Sequence, residues 1–141
     1  MPTKLELRKI ARTRLLEVKA LNSAGFYDAA RYMAGYVIET ALKARICKIL
    51  NSDYPDTGAV SKSFLTHNFD ILVQLAGLSV SLDSELNANV NFKTNWSLVT
   101  GWKETIRYNA IGSASSVDVD NIISALEDQA DGVFTWIKKR W

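Results

Sequence analysis

Proline is nearly absent from this chain of 141 residues. The two that occur are Pro2, at the start, and Pro55, in a segment rich in turn formers. Because a proline inside a helix removes a backbone N–H and clashes with the preceding turn, almost the whole chain is free to be helical. Apolar residues recur at helical spacing through most of it. The sequence therefore predicts an all-α fold.

Two long helices are predicted in the first third. The first spans residues 3–23, where Thr3 and Glu6 have the spacing of a capping box and Gly25 follows as a stop. The second, over 26–50, is apolar nearly all round, which is typical of a helix at the centre of its domain. Its single cysteine, Cys47, is expected to be a small buried hydrophobe.

A loop and a short helix are predicted next. Turn formers occupy residues 51–65. Thr66 is then expected to cap a helix over 67–77, which Gly77 ends.

The later part of the chain has a less regular pattern. Residues 78–113 show no clean period, with one or two turns expected over 84–91 and a short helix near 101–109. The last predicted helix spans 116–140. Four long or medium helices with short links predict an antiparallel helical bundle, in one domain over residues 1–141.

Composition excludes several classes of protein. Apolar residues make up 48% and charged residues 23%, so the chain is neither disordered nor collagen-like. One cysteine and one histidine, His67, exclude a Cys-rich or His-pair metal site, and no metal or cofactor is expected. A membrane-spanning run of about 20 apolar residues and an apolar signal segment are both absent, so we expect a cytoplasmic protein.

Charge is divided unevenly along the chain. Residues 1–48 contain ten basic and four acidic residues, a balance of +6, whereas residues 49–141 contain seven basic and eleven acidic residues, a balance of −4. A basic first third is compatible with an anionic partner such as RNA. The alternative is that the positive part packs beside the negative part, which the modest total basicity favours.

A polar stripe crosses the second predicted helix. At about 100° per residue, five residues fall within one sector: Asp28, Arg31, Gly35, Glu39 and Lys43. Glycine inside a helix costs roughly 1 kcal/mol relative to alanine, so another helix, a partner chain or a ligand is expected to approach the backbone at Gly35. The alternative is a solvated face of charge pairs, since Asp28–Arg31 and Glu39–Lys43 have i,i+3 and i,i+4 spacing.

The same segment resembles a known family. The run from Gly25 to Ala44 (GFYDAARYMAGYVIETALKA), then Thr66-His67-Asn68-Phe69 and later Arg107-Tyr108-Asn109 resemble the HEPN domain (higher eukaryotes and prokaryotes nucleotide-binding). The resemblance covers the chain from about Leu15 to the last predicted helix. It implies an up-and-down bundle of four to five helices, commonly paired into a dimer. Members often accompany small nucleotidyltransferases or act in toxin–antitoxin and antiviral systems.

The resemblance departs from the family's ribonuclease motif. Many nuclease members carry an arginine, four to six residues and then a histidine, and two such motifs meet across a dimer to cut RNA without a metal. Arg107 has the comparable place here, but Gly112, Ser113 and Ala114 follow where the histidine is expected. His67 precedes Arg107 by forty positions and belongs to the Thr-His element. The usual ribonuclease motif is therefore absent.

Three functions remain open at this point. The leading hypothesis is a dimeric nucleotide- or RNA-binding module without catalysis, with a ligand held by Asp28, Arg31, Glu39, Lys43, Arg107 and Tyr108. The second is a metal-independent ribonuclease in which Arg107 stabilises phosphate charge and either His67 or a substitute acid moves a proton. The third is an assembly partner of a separately encoded nucleotidyltransferase.

Overall fold

The computed structural model describes residues 2–55 and 59–141, and within them the chain is helical, with no strand. The described residues form seven α-helices: α1 (Lys4–Ser23), α2 (Tyr27–Leu50), α3 (Phe69–Leu75), α4 (Ser79–Ala88), α5 (Val90–Thr100), α6 (Ser116–Glu127) and α7 (Val133–Lys138). Two 3₁₀ segments cover Ala59–Phe64 and Glu104–Tyr108. The prediction of an all-α fold is confirmed, although these residues form more helices than the four to five expected.

The first two helices match their predicted bounds within a residue or two. At the start of α1, the Thr3 hydroxyl accepts a hydrogen bond from the Glu6 N–H (3.2 Å), and the Glu6 carboxylate accepts one from the Thr3 N–H (2.7 Å). The predicted capping box is therefore formed. Gly25 follows α1 with φ at +83°, a left-handed conformation that glycine adopts without steric cost.

The helix α2 is the centre of the fold. It packs against α1, α3, α5, α6, α7 and the second 3₁₀ segment. Small side chains on α2, among them Ala30, Ala41 and Ala44, are fully buried and let its neighbours approach closely. The prediction of a central helix from its all-round apolar character is confirmed.

The start of α3 differs from the prediction. Thr66 does not cap the helix. Instead, the Asn68 side chain accepts from the Ile71 N–H (3.2 Å), and the Thr66 hydroxyl accepts from the Asn68 N–H (3.0 Å). The helix therefore begins two residues later than expected. The predicted loop over 51–65 contains the first 3₁₀ segment. Residues 56–58 of this loop lie outside the described part of the chain.

Residues 78–113 contain more helix than predicted. In place of one or two turns over 84–91, α4 and α5 form two helices that meet at Asn89. The side-chain oxygen of Asn89 caps α5 by accepting a hydrogen bond from the Phe92 N–H (3.1 Å). The side-chain N–H₂ of Asn89 donates to the Asp131 carboxylate (2.7 Å). The short helix expected near 101–109 is the 3₁₀ segment Glu104–Tyr108.

The prediction of one last helix over 116–140 is wrong, because the helical conformation is interrupted between α6 and α7. The Asp128 carboxylate accepts from the backbone N–H groups of Ala130 (2.9 Å) and Asp131 (2.7 Å). Such local side-chain bonds compete with helical ones. Gly132 follows so tightly that an added Cβ would lie 2.5 Å from the Asp128 carbonyl oxygen. The predicted start is correct, since Ser115 and Asp118 form a capping box.

Among the described residues, no helix is both long and apolar enough to cross a lipid bilayer. Cys47 is buried as expected, and burial raises the pKa of its thiol.

Candidate functional site

The residues of the polar stripe predicted on α2 contact different parts of the structure. Asp28, at the start of α2, contacts the turn before α6. The Asp28 carboxylate accepts hydrogen bonds from the backbone N–H groups of Gly112 (2.7 Å) and Ala114 (2.9 Å). These bonds hold the pKa of the Asp28 carboxyl below its usual range. The segment in which the family's nuclease histidine is expected is therefore a turn tied to the start of α2.

Gly35 lies under the indole ring of Trp102. A Cβ added at Gly35 would come within 2.0 Å of that ring, and the Trp102 Nε1–H donates to the Tyr32 carbonyl oxygen (2.9 Å). A group does approach closely at Gly35, but it is the Trp102 side chain, from the segment after α5, and not the helix, partner chain or ligand that was expected.

Glu39 is a buried carboxylate that accepts hydrogen bonds from Lys43 and His67. Only 4% of the residue is exposed. One of its oxygens accepts from Lys43 Nζ (2.8 Å) and the other from His67 Nδ1 (2.7 Å). When Nδ1 of a neutral imidazole donates, Nε2 is the acceptor, so Glu39 selects the tautomer in which Nε2 can take a proton. The His67 side chain is 43% exposed.

Two tyrosines of α2, Tyr32 and Tyr36, lie between His67 and Arg107. The Tyr36 ring meets the His67 ring edge-on, with centroids 6.1 Å apart, and the Tyr36 and Tyr32 hydroxyls are hydrogen-bonded at 2.9 Å. Burial raises the pKa of Tyr36 to about 12. The hydrogen bond to Tyr36 and the adjacent Arg107 guanidinium lower the pKa of Tyr32. We call His67, Tyr36, Tyr32 and Arg107 the polar row.

Arg31 and Arg107 line one cavity of about 190 Å³ at the end of the polar row. Within the described part of the chain, neither guanidinium has a carboxylate within 4 Å (the ion pairs found there involve other residues). The Arg107 guanidinium lies 4.9 Å from the centre of the Tyr108 ring, and Tyr108 is 76% exposed. Two cations thus line this cavity, which we call the arginine cavity, and the exposed Tyr108 ring lies beside Arg107 without lining it.

His67 faces a second, polar cavity of about 450 Å³. Its walls include Thr66, Asn68, Lys103 and Glu104. The structure therefore places the six residues predicted to bind a ligand in two groups. Asp28, Arg31, Arg107 and Tyr108 are near the arginine cavity, whereas Glu39 and Lys43 support His67.

Sequence reasoning missed Tyr32, Tyr36 and Trp102 as site residues. A signal was present for the tyrosines, because Tyr32 and Tyr36 are spaced i,i+4 beside the polar stripe and so must share a helix face. They were interpreted as part of the apolar surface. No sequence signal places Trp102 on Gly35, since the two residues are far apart in the chain.

In residues 2–55 and 59–141, no three Cys, His, Asp or Glu side chains come together as a metal site would require. Comparison of the chain with protein-family models, curated proteins and solved structures finds no match.

Proposed function

We propose that this chain is a HEPN-like module that binds the phosphate groups of a nucleotide or RNA at the arginine cavity. The observation that carries the proposal is the pairing of Arg31 and Arg107. They are distant in sequence, line one cavity, and have no carboxylate within 4 Å in the described part of the chain. Guanidinium groups recognise phosphate through paired, charge-assisted hydrogen bonds.

The neighbouring aromatic ring supports the same ligand class. Tyr108 is largely exposed beside Arg107, and exposed aromatic rings stack on unpaired bases. Asp28 lies at the same cavity, but its carboxylate already accepts two backbone hydrogen bonds. Asp28 therefore shapes the site by holding residues 112–114, while Arg107 and Tyr108 contact the ligand.

Binding is tested by fluorescence anisotropy with a labelled 12-nucleotide single-stranded RNA and by competition with mononucleotides. We expect Arg107→Gln to weaken binding about tenfold, as the loss of a hydrogen bond to a charged group predicts. Lys93→Gln is the matched control because it removes one positive charge from an exposed position on α5. Equal affinities for the two variants would contradict the proposal. If the wild-type chain binds neither RNA nor nucleotides, the assembly hypothesis takes its place.

A second function, metal-independent cleavage of RNA, is favoured by one specific observation. A histidine whose Nδ1 is held by a buried carboxylate is oriented to accept a proton at Nε2, and His67 on Glu39 has this arrangement at an open cavity. The polar row connects His67 with the arginine that would stabilise phosphate charge.

The cleavage hypothesis is tested by incubating labelled RNA with the protein in EDTA. Loss of a general base typically lowers a rate 10²–10⁴-fold, so His67→Ala should lower cleavage by at least about 100-fold. Glu39→Gln should have a smaller effect because an amide oxygen still accepts from Nδ1. Absence of cleavage by the wild-type chain, or cleavage unchanged in His67→Ala or Arg107→Ala, excludes this function.

The partners of the proposed module are predicted from the family resemblance alone. We propose a homodimer and, as a second partner, a separately encoded nucleotidyltransferase, both on the resemblance to the HEPN family.

A further inference from the structure

We infer that the ligand is a nucleotide whose flat base enters a third cavity, which shares Arg31 with the arginine cavity, rather than stacking on Tyr108. This inference rests on the proposed phosphate site. The third cavity lies between α2, α5 and α6 and has a volume of about 160 Å³. Arg31 lines both this cavity and the arginine cavity, so the two cavities are neighbours and share a cationic side chain. We call the third cavity the base pocket.

The walls of the base pocket suit an aromatic ring. Ala34 and Gly35 have too little side chain to fill the space, and Leu98, Trp102 and Ile122 line it with apolar atoms. An apolar cavity of about 150 Å³ is large enough to hold benzene, whereas drug-sized ligands need about 300 Å³ or more. The volume therefore fits one ring system.

The polar groups of the base pocket distinguish a base from a hydrocarbon. Arg31, Asp118 and Asn121 contribute both donors and acceptors to its lining. One Asp118 oxygen accepts from the Ser115 N–H, and no hydrogen bond within the described residues uses the side chains of Arg31 or Asn121. A hydrocarbon would desolvate these groups without pairing them, which is costly. A heteroaromatic base carries donors and acceptors on its edge and can pair with them.

The test compares two ligands that differ only in the base. Isothermal titration with AMP and with ribose 5-phosphate should show AMP binding at least tenfold more tightly. Leu98→Trp fills the pocket from a position that is 44% exposed and should bring AMP to within about twofold of ribose 5-phosphate. Leu16→Trp, on an exposed leucine of α1 (65%), is the matched control and should leave the ratio unchanged.

A second variant covers the case in which Leu98→Trp disturbs folding, which thermal unfolding would reveal. Asn121 is exposed, and Asn121→Leu should weaken AMP binding but not ribose 5-phosphate binding. Equal affinities of AMP and ribose 5-phosphate overturn the base pocket and leave the phosphate site standing. An unchanged ratio in both folded variants also overturns it. Failure of the phosphate site is a different result, in which Arg107→Gln matches Lys93→Gln for every ligand.

Discussion

At the scale of single residues, Gly35 shows how a sequence anomaly can have a structural cause. A glycine in the middle of a long helix is unfavourable, and the indole of Trp102 takes the space that a side chain would need. Trp102 also bonds the Tyr32 carbonyl oxygen, so the glycine lets the segment after α5 dock against α2. This contact fixes one wall of the base pocket.

Replacement of Gly35 by alanine should destabilise the protein, although alanine is the better helix former. The added Cβ would overlap the Trp102 ring, and overpacking a core typically costs about 1–3 kcal/mol. Denaturant unfolding of Gly35→Ala measures this cost. Gly101→Ala is the control because its Cβ would meet only ordinary contacts. A Gly35→Ala protein as stable as the wild type would show that Trp102 does not pack on this glycine.

His67 shows what the residue scale leaves open. From the sequence, a lone histidine after a threonine is most simply a structural residue at a helix end. The structure instead joins it to a buried carboxylate on α2. Because Glu39 and His67 are 28 positions apart, only the packing of α3 against α2 brings them together.

At the scale of elements, capping signals located the starts of α1 and α6, whereas the cap of α3 and the break between α6 and α7 were missed. The capping box at α1 is predicted from spacing alone and is formed, and a second capping box is formed at α6. The break between α6 and α7 was missed because Val133 and Ile137 continue the helical apolar pattern of α6. The Asp128 side chain competes for the backbone there, an effect that periodicity does not register.

The link between Asp28 and the turn before α6 should make stability depend on pH. The folded-state pKa of Asp28 is depressed, so its contribution is present above the unfolded pKa of about 3.9 and is lost as pH falls through the folded pKa. Asp28→Asn keeps one acceptor oxygen but opposes the other backbone N–H with its own N–H groups. We expect its melting temperature to fall by a few degrees at pH 7.

The difference between Asp28→Asn and the wild-type chain should shrink below about pH 4, where the wild-type carboxyl also becomes protonated. Thermal unfolding by circular dichroism at several pH values measures it. Asp83→Asn, at an exposed position on α4, controls for the loss of one negative charge. A difference that stays constant from pH 7 to pH 3 would contradict the role assigned to the Asp28 carboxylate.

At the scale of the whole molecule, the uneven charge of the sequence is partly neutralised within the fold. Lys19 of α1 pairs with Glu127 of α6, which joins the basic first third to the acidic remainder. Other cations of α1 have an aromatic partner, since Arg8 and Arg12 lie 5.4 and 4.9 Å from the centre of the Trp141 ring. Trp141 also donates to the Ala41 carbonyl oxygen (3.1 Å). Several cations of the basic first third are thus already paired within the fold and are not simply free to bind RNA.

The sequence by itself determined the helical class, the two long helices and the central position of α2. These features follow from local rules, namely the scarcity of proline, the periodicity of apolar residues and the capping chemistry. The sequence also singled out Asp28, Arg31, Glu39, Lys43, His67, Arg107 and Tyr108 as candidate site residues. It assigned six of them to one ligand, whereas the structure divides them into two groups, because grouping depends on which turns and helices meet.

Only the tertiary structure decided which of these residues share a cavity. It turned Asp28 toward backbone N–H groups of residues 112 and 114, and it buried Glu39 against His67 and Lys43. It also placed Arg107 beside Arg31. Each of these contacts except the Glu39–Lys43 pair joins residues distant in the chain. Helical periodicity gives the face on which a side chain lies, whereas the packing of the helices decides what that face meets.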